Sequence, residues 1–89
     1  MLEIRPTCEN CNKKLPYNSN EAMICTFECT FCRECVNTIL KEICPNCGGD
    51  FTQRPIRPKE LLAKYPVSKQ IVFKPVDINK HNELINKRK

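Results

Sequence analysis

Eight cysteines lie between Cys8 and Cys47 of this 89-residue chain, and none follows. Their spacing, C-x2-C-x13-C-x3-C-x2-C-x2-C-x8-C-x2-C, constrains the fold more than any other feature. Chains of this length bury a modest share of their surface and often draw on metal, disulfides or a partner for stability. Trp is absent and the aromatic residues are four Phe and two Tyr, so burial alone is too weak to hold residues 1–50. An even number of cysteines in a short chain means either a disulfide framework or a metal cluster. The opening Met1-Leu2-Glu3-Ile4-Arg5-Pro6 lacks the apolar run of an export signal. No apolar stretch approaches the roughly 20 residues that cross a bilayer. The expectation is a cytoplasmic chain, where thiols stay reduced and metal is favoured over disulfides.

The C-x2-C pairs supply the chemistry. In such a knuckle two thiolates reach one tetrahedral ion at about 2.3 Å while backbone N–H groups turn toward the sulfurs. Four ligands per ion and eight cysteines make two closed sites with none left over. A closed site leaves no position for water or substrate, so the expected cofactor is two structural Zn²⁺ ions and no catalytic residue is expected. Cys29-x2-Cys32-x2-Cys35 is similar to the iron–sulfur run C-x2-C-x2-C-x3-C-P, but the cysteine before proline, Cys44, follows eight residues later instead of three. Thiolate sites accept iron as well as zinc, so composition does not discriminate between the two metals.

Four blocks follow from pattern. Residues 1–20 hold the first cysteine pair and a turn-rich stretch with no regular period. Residues 21–31 are rich in β-branched and aromatic residues and predict a short hairpin. From about Arg33 to Ile43, apolar Val36, Ile39, Leu40 and Ile43 recur at helical spacing, ended by Cys44-Pro45. Arg54-Pro55-Ile56-Arg57-Pro58 reads as an extended linker. Beyond it, Lys59–Tyr65 suits a short helix, Ile71-Val72-Phe73 a strand, and Asn79–Lys89 a polar helix. The domain reading is a metal head at residues 6–52, then a linker and basic extension at 53–89. Phe27, Phe31 and the helix stripe are expected in the core, and His81 in solvent. Phe51 and Leu61-Leu62 extend that core or dock the extension on the head.

Charge divides along the same line. Residues 1–50 carry five Lys/Arg against seven Asp/Glu, whereas residues 51–89 carry ten against three. Eight thiolates against two divalent ions make the loaded head more acidic still.

The stretch Cys29-Thr30-Phe31-Cys32-Arg33-Glu34-Cys35-Val36, then Ile39-Leu40, then Cys44-Pro45-Asn46-Cys47, resembles the second half of a RING finger. RING fingers place an aromatic residue before the fifth ligand, a helix after the sixth and proline inside the last pair. Cys29 stands where most carry histidine. The resemblance implies a small metal-stabilised α+β fold, a RING-like, treble-clef cross-brace with a short β-hairpin and one helix. It also implies interleaved ligands, Cys8, Cys11, Cys32 and Cys35 on one ion and Cys25, Cys29, Cys44 and Cys47 on the other. The spacing by itself also permits a sequential arrangement, Cys8/Cys11/Cys25/Cys29 and Cys32/Cys35/Cys44/Cys47, in which Cys29 and Cys32, only three residues apart, would serve different ions. The chain is also similar to a group of short, uncharacterised bacterial cysteine-rich proteins. They share phrases such as Glu28-Cys29-Thr30-Phe31-Cys32, Cys44-Pro45-Asn46-Cys47-Gly48-Gly49 and Arg54-Pro55-Ile56-Arg57-Pro58.

Three functions follow as expectations. The first is a non-catalytic zinc-binding adaptor with a protein partner and no membrane or small-molecule substrate. The second is nucleic-acid binding through the basic segment Arg54–Lys89, where Tyr65 and Phe73 interleave with the cations. The third, implied by the RING resemblance, is ubiquitin-ligase activity. For that, Ile39 and Pro45 suit the groove that binds a conjugating enzyme, but Asn10 replaces its usual aliphatic residue and Gly48 the basic residue after the last ligand. No Ser/His/Asp constellation, phosphate loop or paired-carboxylate site is visible.

Overall fold

The computed structural model describes residues 2–88. The chain is α+β, built on a three-stranded antiparallel sheet of order β2-β1-β3. Strands β1 (Ala22–Ile24) and β2 (Thr30–Cys32) form the hairpin that the β-branched and aromatic run predicts, in the register Ala22↔Cys32, Met23↔Phe31 and Ile24↔Thr30. The third strand, β3 (Thr52–Gln53), pairs with the other edge of β1 and has no counterpart in the sequence reading. Two residues carry no detectable period, so only tertiary pairing reveals it. A single bridge, Thr7 to Lys14, closes the loop that carries the first cysteine pair.

Helix α1 (Arg33–Thr38) starts directly from β2, and the Cys32 sulfur caps it by accepting from the Cys35 N–H. It is shorter than the apolar period suggests. The chain turns at Lys41 and Glu42, both in the left-handed region at φ 52° and 63°. Those turns close through Leu40 N–H to Cys35 O at 2.9 Å and Glu42 N–H to Val36 O at 3.0 Å. A straight helix through Ile43 would carry Cys44 away from the sheet. The two left-handed residues reverse the chain instead, bringing Cys44 beside Cys25.

The core consists of Leu15, Ala22, Phe31, Val36 and Leu40 together with six buried cysteines. Phe51 packs edge-on against Phe31, ring centroids 5.6 Å apart. Phe27 is not part of this core. It sits in the turn between β1 and β2 and is 74% exposed, because the turn directs it outward while the backbone around it serves the Cys25 sulfur.

Residues beyond the sheet run back over the head. Arg57 donates to Leu2 O and Tyr65 O, and Ser68 N–H donates to Ile4 O. Lys59–Leu61 forms one 3₁₀ turn in place of a helix to Tyr65, and Leu61 stays exposed with Leu62 half-buried. Ile71-Val72-Phe73 forms no strand, and Ile71 and Phe73 face solvent. Helix α2 (Ile78–Arg88) lies where a polar helix is expected. Asp77 opens it, its Oδ1 accepting from Asn79 and Lys80 N–H. His81, expected in solvent, is 2% exposed, because α2 places His81 and Ile85 four residues apart on the face turned to the head.

A candidate metal centre of interleaved cysteines

The first knuckle, Cys8 to Cys11, is a tight turn closed by Asn12 N–H to Cys8 O at 2.9 Å, with Asn12 at φ 63°. The β2–α1 junction supplies Cys32 at the strand end and Cys35 in the first helical turn. The sulfurs of Cys8, Cys11, Cys32 and Cys35 all lie within 4.8 Å of one another. Cys8 Sγ is 3.9 Å from Cys35 Sγ, and Cys11 Sγ is 3.7 Å from Cys32 Sγ. A tetrahedron with metal–sulfur bonds of about 2.3 Å has edges of about 3.8 Å. The four sulfurs therefore already stand at the spacing that a tetrahedral thiolate site requires.

A second group joins the β1 end to the last knuckle. Cys25, Cys44 and Cys47 bring their sulfurs within 4.8 Å of one another. Cys29 does not belong to that trio. It is buried beside Cys25, and its sulfur accepts from Asn46 Nδ2 at 3.5 Å. The grouping is thus interleaved in sequence, since each cluster draws on segments that flank the other. The sequential alternative, Cys8/Cys11 with Cys25/Cys29, is not the one this fold makes.

The donor set around the sulfurs suits metal-bound thiolates. Phe27, Asn46 and Gly49 each aim a backbone N–H at the sulfur two residues earlier, Cys25, Cys44 and Cys47, at 3.3, 3.4 and 3.4 Å. Asn10 Nδ2 donates to Cys35 Sγ at 3.3 Å. Gly48 has φ 76°, which bends the chain after Cys47. A Cβ at Gly49 would lie 3.4 Å from the Cys47 sulfur and 3.3 Å from the Thr26 hydroxyl, so the chain passes close to this knuckle.

Protonation follows burial. Burial pushes the Cys35 and Cys44 thiols well up, despite hydrogen bonds from Asn10 to the first and from the last knuckle's backbone to the second. At Cys47, burial also raises the thiol, but the Thr26 hydroxyl, the Gly49 N–H and the neighbouring thiols outweigh it and bring it down to about 7. Cys11 is likewise lowered, with the Lys13 backbone and three thiols overcoming burial. Each group therefore has an accessible member, Cys11 or Cys47, beside a buried thiol, Cys35 or Cys44, whose proton burial holds against all but a strong competitor such as a metal cation.

A buried carboxylate stands between the two groups. Glu9, 3% exposed, accepts from Arg5 NH1 and Thr30 N–H, both at 2.8 Å, and from Asn46 Nδ2 at 3.5 Å. The same Asn46 amide faces Cys29 Sγ. Glu9 thus ties the first knuckle to β2 and, through Asn46, to the last knuckle.

All eight cysteines fall within residues 1–57, the span matched by the profile of a family described as a protein of unknown function, DUF1272. The chain belongs to the DUF1272 family. It is also 56% identical over 75 residues to an uncharacterised protein of Rhizobium meliloti (strain 1021), covering 84% of this chain and 89% of that relative. No solved structure matches it. The matched span ends before the 3₁₀ turn and α2. Among the described residues, no helix is long and apolar enough to cross a membrane.

Several residues of the site escape sequence reasoning. Glu9, Asn10 and Asn46 lie inside the C-x2-C pairs, where their positions draw notice but their partners do not. Arg54 reads as one more cation of a basic linker, yet it is 1% exposed and donates to three backbone carbonyls, Arg5 O, Leu15 O and Pro16 O.

Proposed function

We propose that this DUF1272 protein is a non-catalytic zinc-binding module that serves as a small protein-interaction adaptor. Two structural Zn²⁺ ions would be held, one by Cys8, Cys11, Cys32 and Cys35 and the other by Cys25, Cys44, Cys47 and Cys29. The observation that carries the reading is the tetrahedral spacing of the first four sulfurs, with donors already turned toward the sulfurs of both groups. A bound ion would supply charge neutralisation and cross-linking, worth on the order of 10 kcal/mol per site in peptide models. The interleaved order is that of a RING-like cross-brace, with the head at residues 6–52 and the extension at 53–89.

The surface supports an adaptor over the other two readings. Val76, His81 and Leu84 of the extension face Pro45 and Asn46 across one cavity, over the region a RING ligase would offer to a conjugating enzyme. Two of the extension's cations, Arg54 and Arg57, are committed to backbone carbonyls and not free for phosphates. An apolar groove of about 330 Å³, lined by Ile4, Pro55, Ile56, Leu61 and Tyr65, suits an apolar side chain of a protein partner.

Native mass spectrometry tests the metal assignment. The expected result is a mass excess of two zinc ions and eight thiols alkylatable after denaturation. A metal-free protein with four disulfides would overturn it. For the adaptor role, proteins captured by the wild type are compared with those captured by Ile56→Glu. A protein bound by the wild type and lost by a two-zinc Ile56→Glu variant is expected, and identical capture argues against the groove.

A further inference from the structure

Residues 74–76 lie along the first knuckle. Lys74 N–H donates to Glu9 O at 2.7 Å, and Val76 N–H donates to Asn10 Oδ1 at 2.9 Å. The donors are two residues apart, so one edge of this extended backbone faces the Cys8–Cys11 turn. The other end of the Asn10 amide reaches Cys35 Sγ at 3.3 Å. A single side chain therefore holds both a sulfur of the first group and the backbone of the extension.

Beyond that clamp, Val76 packs against the core, and α2 lays Ile85 and His81 on the head. A carbonyl only accepts, so His81 Nε2 carries the proton of its 2.7 Å hydrogen bond to Leu40 O. A cavity of about 460 Å³ separates Val76, His81 and Leu84 from Phe31, Pro45 and Asn46. The extension is thus held by a few bonds at its start and one helix face, with space beneath it.

We infer that residues 74–88 form a strap whose docking depends on metal in the first cysteine site. This rests on the zinc reading of that site. An ion there pulls the Cys8–Cys11 turn and the β2–α1 junction into one tetrahedron, which sets Glu9 O and the Asn10 amide where Lys74 and Val76 meet them. Without the ion the Glu9–Thr30 bonds still tie the first knuckle to β2, but Cys11 and Cys35 are no longer drawn to one centre, the Asn10 amide loses its fixed partner, and the Val76 end of the clamp is released. Release uncovers Phe31 and Pro45, so the protein presents one face when loaded and another when stripped. Linkage is reciprocal: a docked strap tightens the first site by the same factor that the loaded site tightens the strap.

Hydrogen–deuterium exchange on the full chain loaded with zinc tests this, with metal content read by native mass in the same samples. As a chelator removes zinc, molecules whose Cys8, Cys11, Cys32 and Cys35 become alkylatable should exchange their 74–86 amides at least about tenfold faster, while those that lose only the second site should not. Asn10→Ala, holding two zinc ions, should show roughly the same acceleration and a correspondingly weaker first site, the scale of one hydrogen bond to a charged group. If Asn10→Ala does not load, the wild-type chelation series decides alone. Strap protection that survives loss of the first zinc overturns the strap. A wild type that binds no zinc overturns the metal reading itself and the strap with it, which the mass distinguishes.

Discussion

Arg54→Ala should be among the most damaging substitutions outside the cysteines. The guanidinium is buried with no acidic partner among the described residues, and its two terminal nitrogens donate to three carbonyls, at 2.8 Å from Arg5, 3.2 Å from Leu15 and 2.8 Å from Pro16, while its Nε is buried with no partner. Burial lowers its pKa, the mark of a charge held where water is scarce. Its backbone N–H meanwhile donates to Ala22 O at 2.8 Å, so the residue staples the end of β3 to β1 and its side chain staples both to the N-terminal loop. Leaving a buried carbonyl without a donor costs about 1–3 kcal/mol. The Pro16 carbonyl keeps the Ser19 N–H at 2.9 Å, so the two losses, at Arg5 and Leu15, come at the low end to about 2 kcal/mol before any loss of side-chain packing, with the relief of guanidinium desolvation acting in the opposite direction. For a domain of this size about 2 kcal/mol corresponds to a melting shift of roughly 8–16 °C. The assay is thermal unfolding of the zinc-loaded protein at one fixed free-zinc concentration, since metal binding itself moves the midpoint. Arg54→Lys, which keeps the charge but not the forked donors, should fall between. A loss below about 1 kcal/mol in Arg54→Ala would refute the view that the Arg5 and Leu15 carbonyls depend on the guanidinium.

Other outcomes can be checked on the same material. Cys32→Ser and Cys44→Ser should each abolish one zinc and unfold the head, whereas Cys29→Ser, altering the sulfur outside the tight trio, should weaken the second site less; circular dichroism with native mass reads this, and equal damage from all three would contradict it. Because burial holds Cys35 and Cys44 protonated in the metal-free chain, loading must release protons, so affinity should rise with pH and the loaded state should be lost as pH falls. Calorimetric titrations in buffers of different ionisation enthalpy count those protons, and an affinity equal at about pH 6 and pH 8 would exclude the thiol ligands.

Local chemistry made much of this protein legible. Cysteine spacing marks the ligand candidates without any structure, because a knuckle is a short-range object: two sulfurs three residues apart can meet one ion whatever lies elsewhere. The hairpin is equally local, since its strands and turn are contiguous. Asp77 and the residues after it suffice to start α2. Where a period continues past a place the chain must turn, the reading fails. The stripe Val36-Ile39-Leu40-Ile43 suits a longer helix, and only the need to bring Cys44 to Cys25 explains why Lys41 and Glu42 turn left-handed.

The pairing of the cysteines belongs to the tertiary structure. Spacing permits interleaved or sequential groups, and β2 running directly into α1 opposite the first knuckle decides between them. The fates of His81, Arg54 and Phe27 belong there too. A histidine in a polar segment, an arginine in a basic linker and a phenylalanine in a β-rich run each carry a local signal for the wrong environment. Residues far away in sequence reverse that signal: Leu40 offers His81 a carbonyl across 41 positions, and Arg5, Leu15 and Pro16 surround Arg54. Composition reports what a side chain prefers on average, whereas burial and hydrogen bonding depend on which distant segments the fold brings to it.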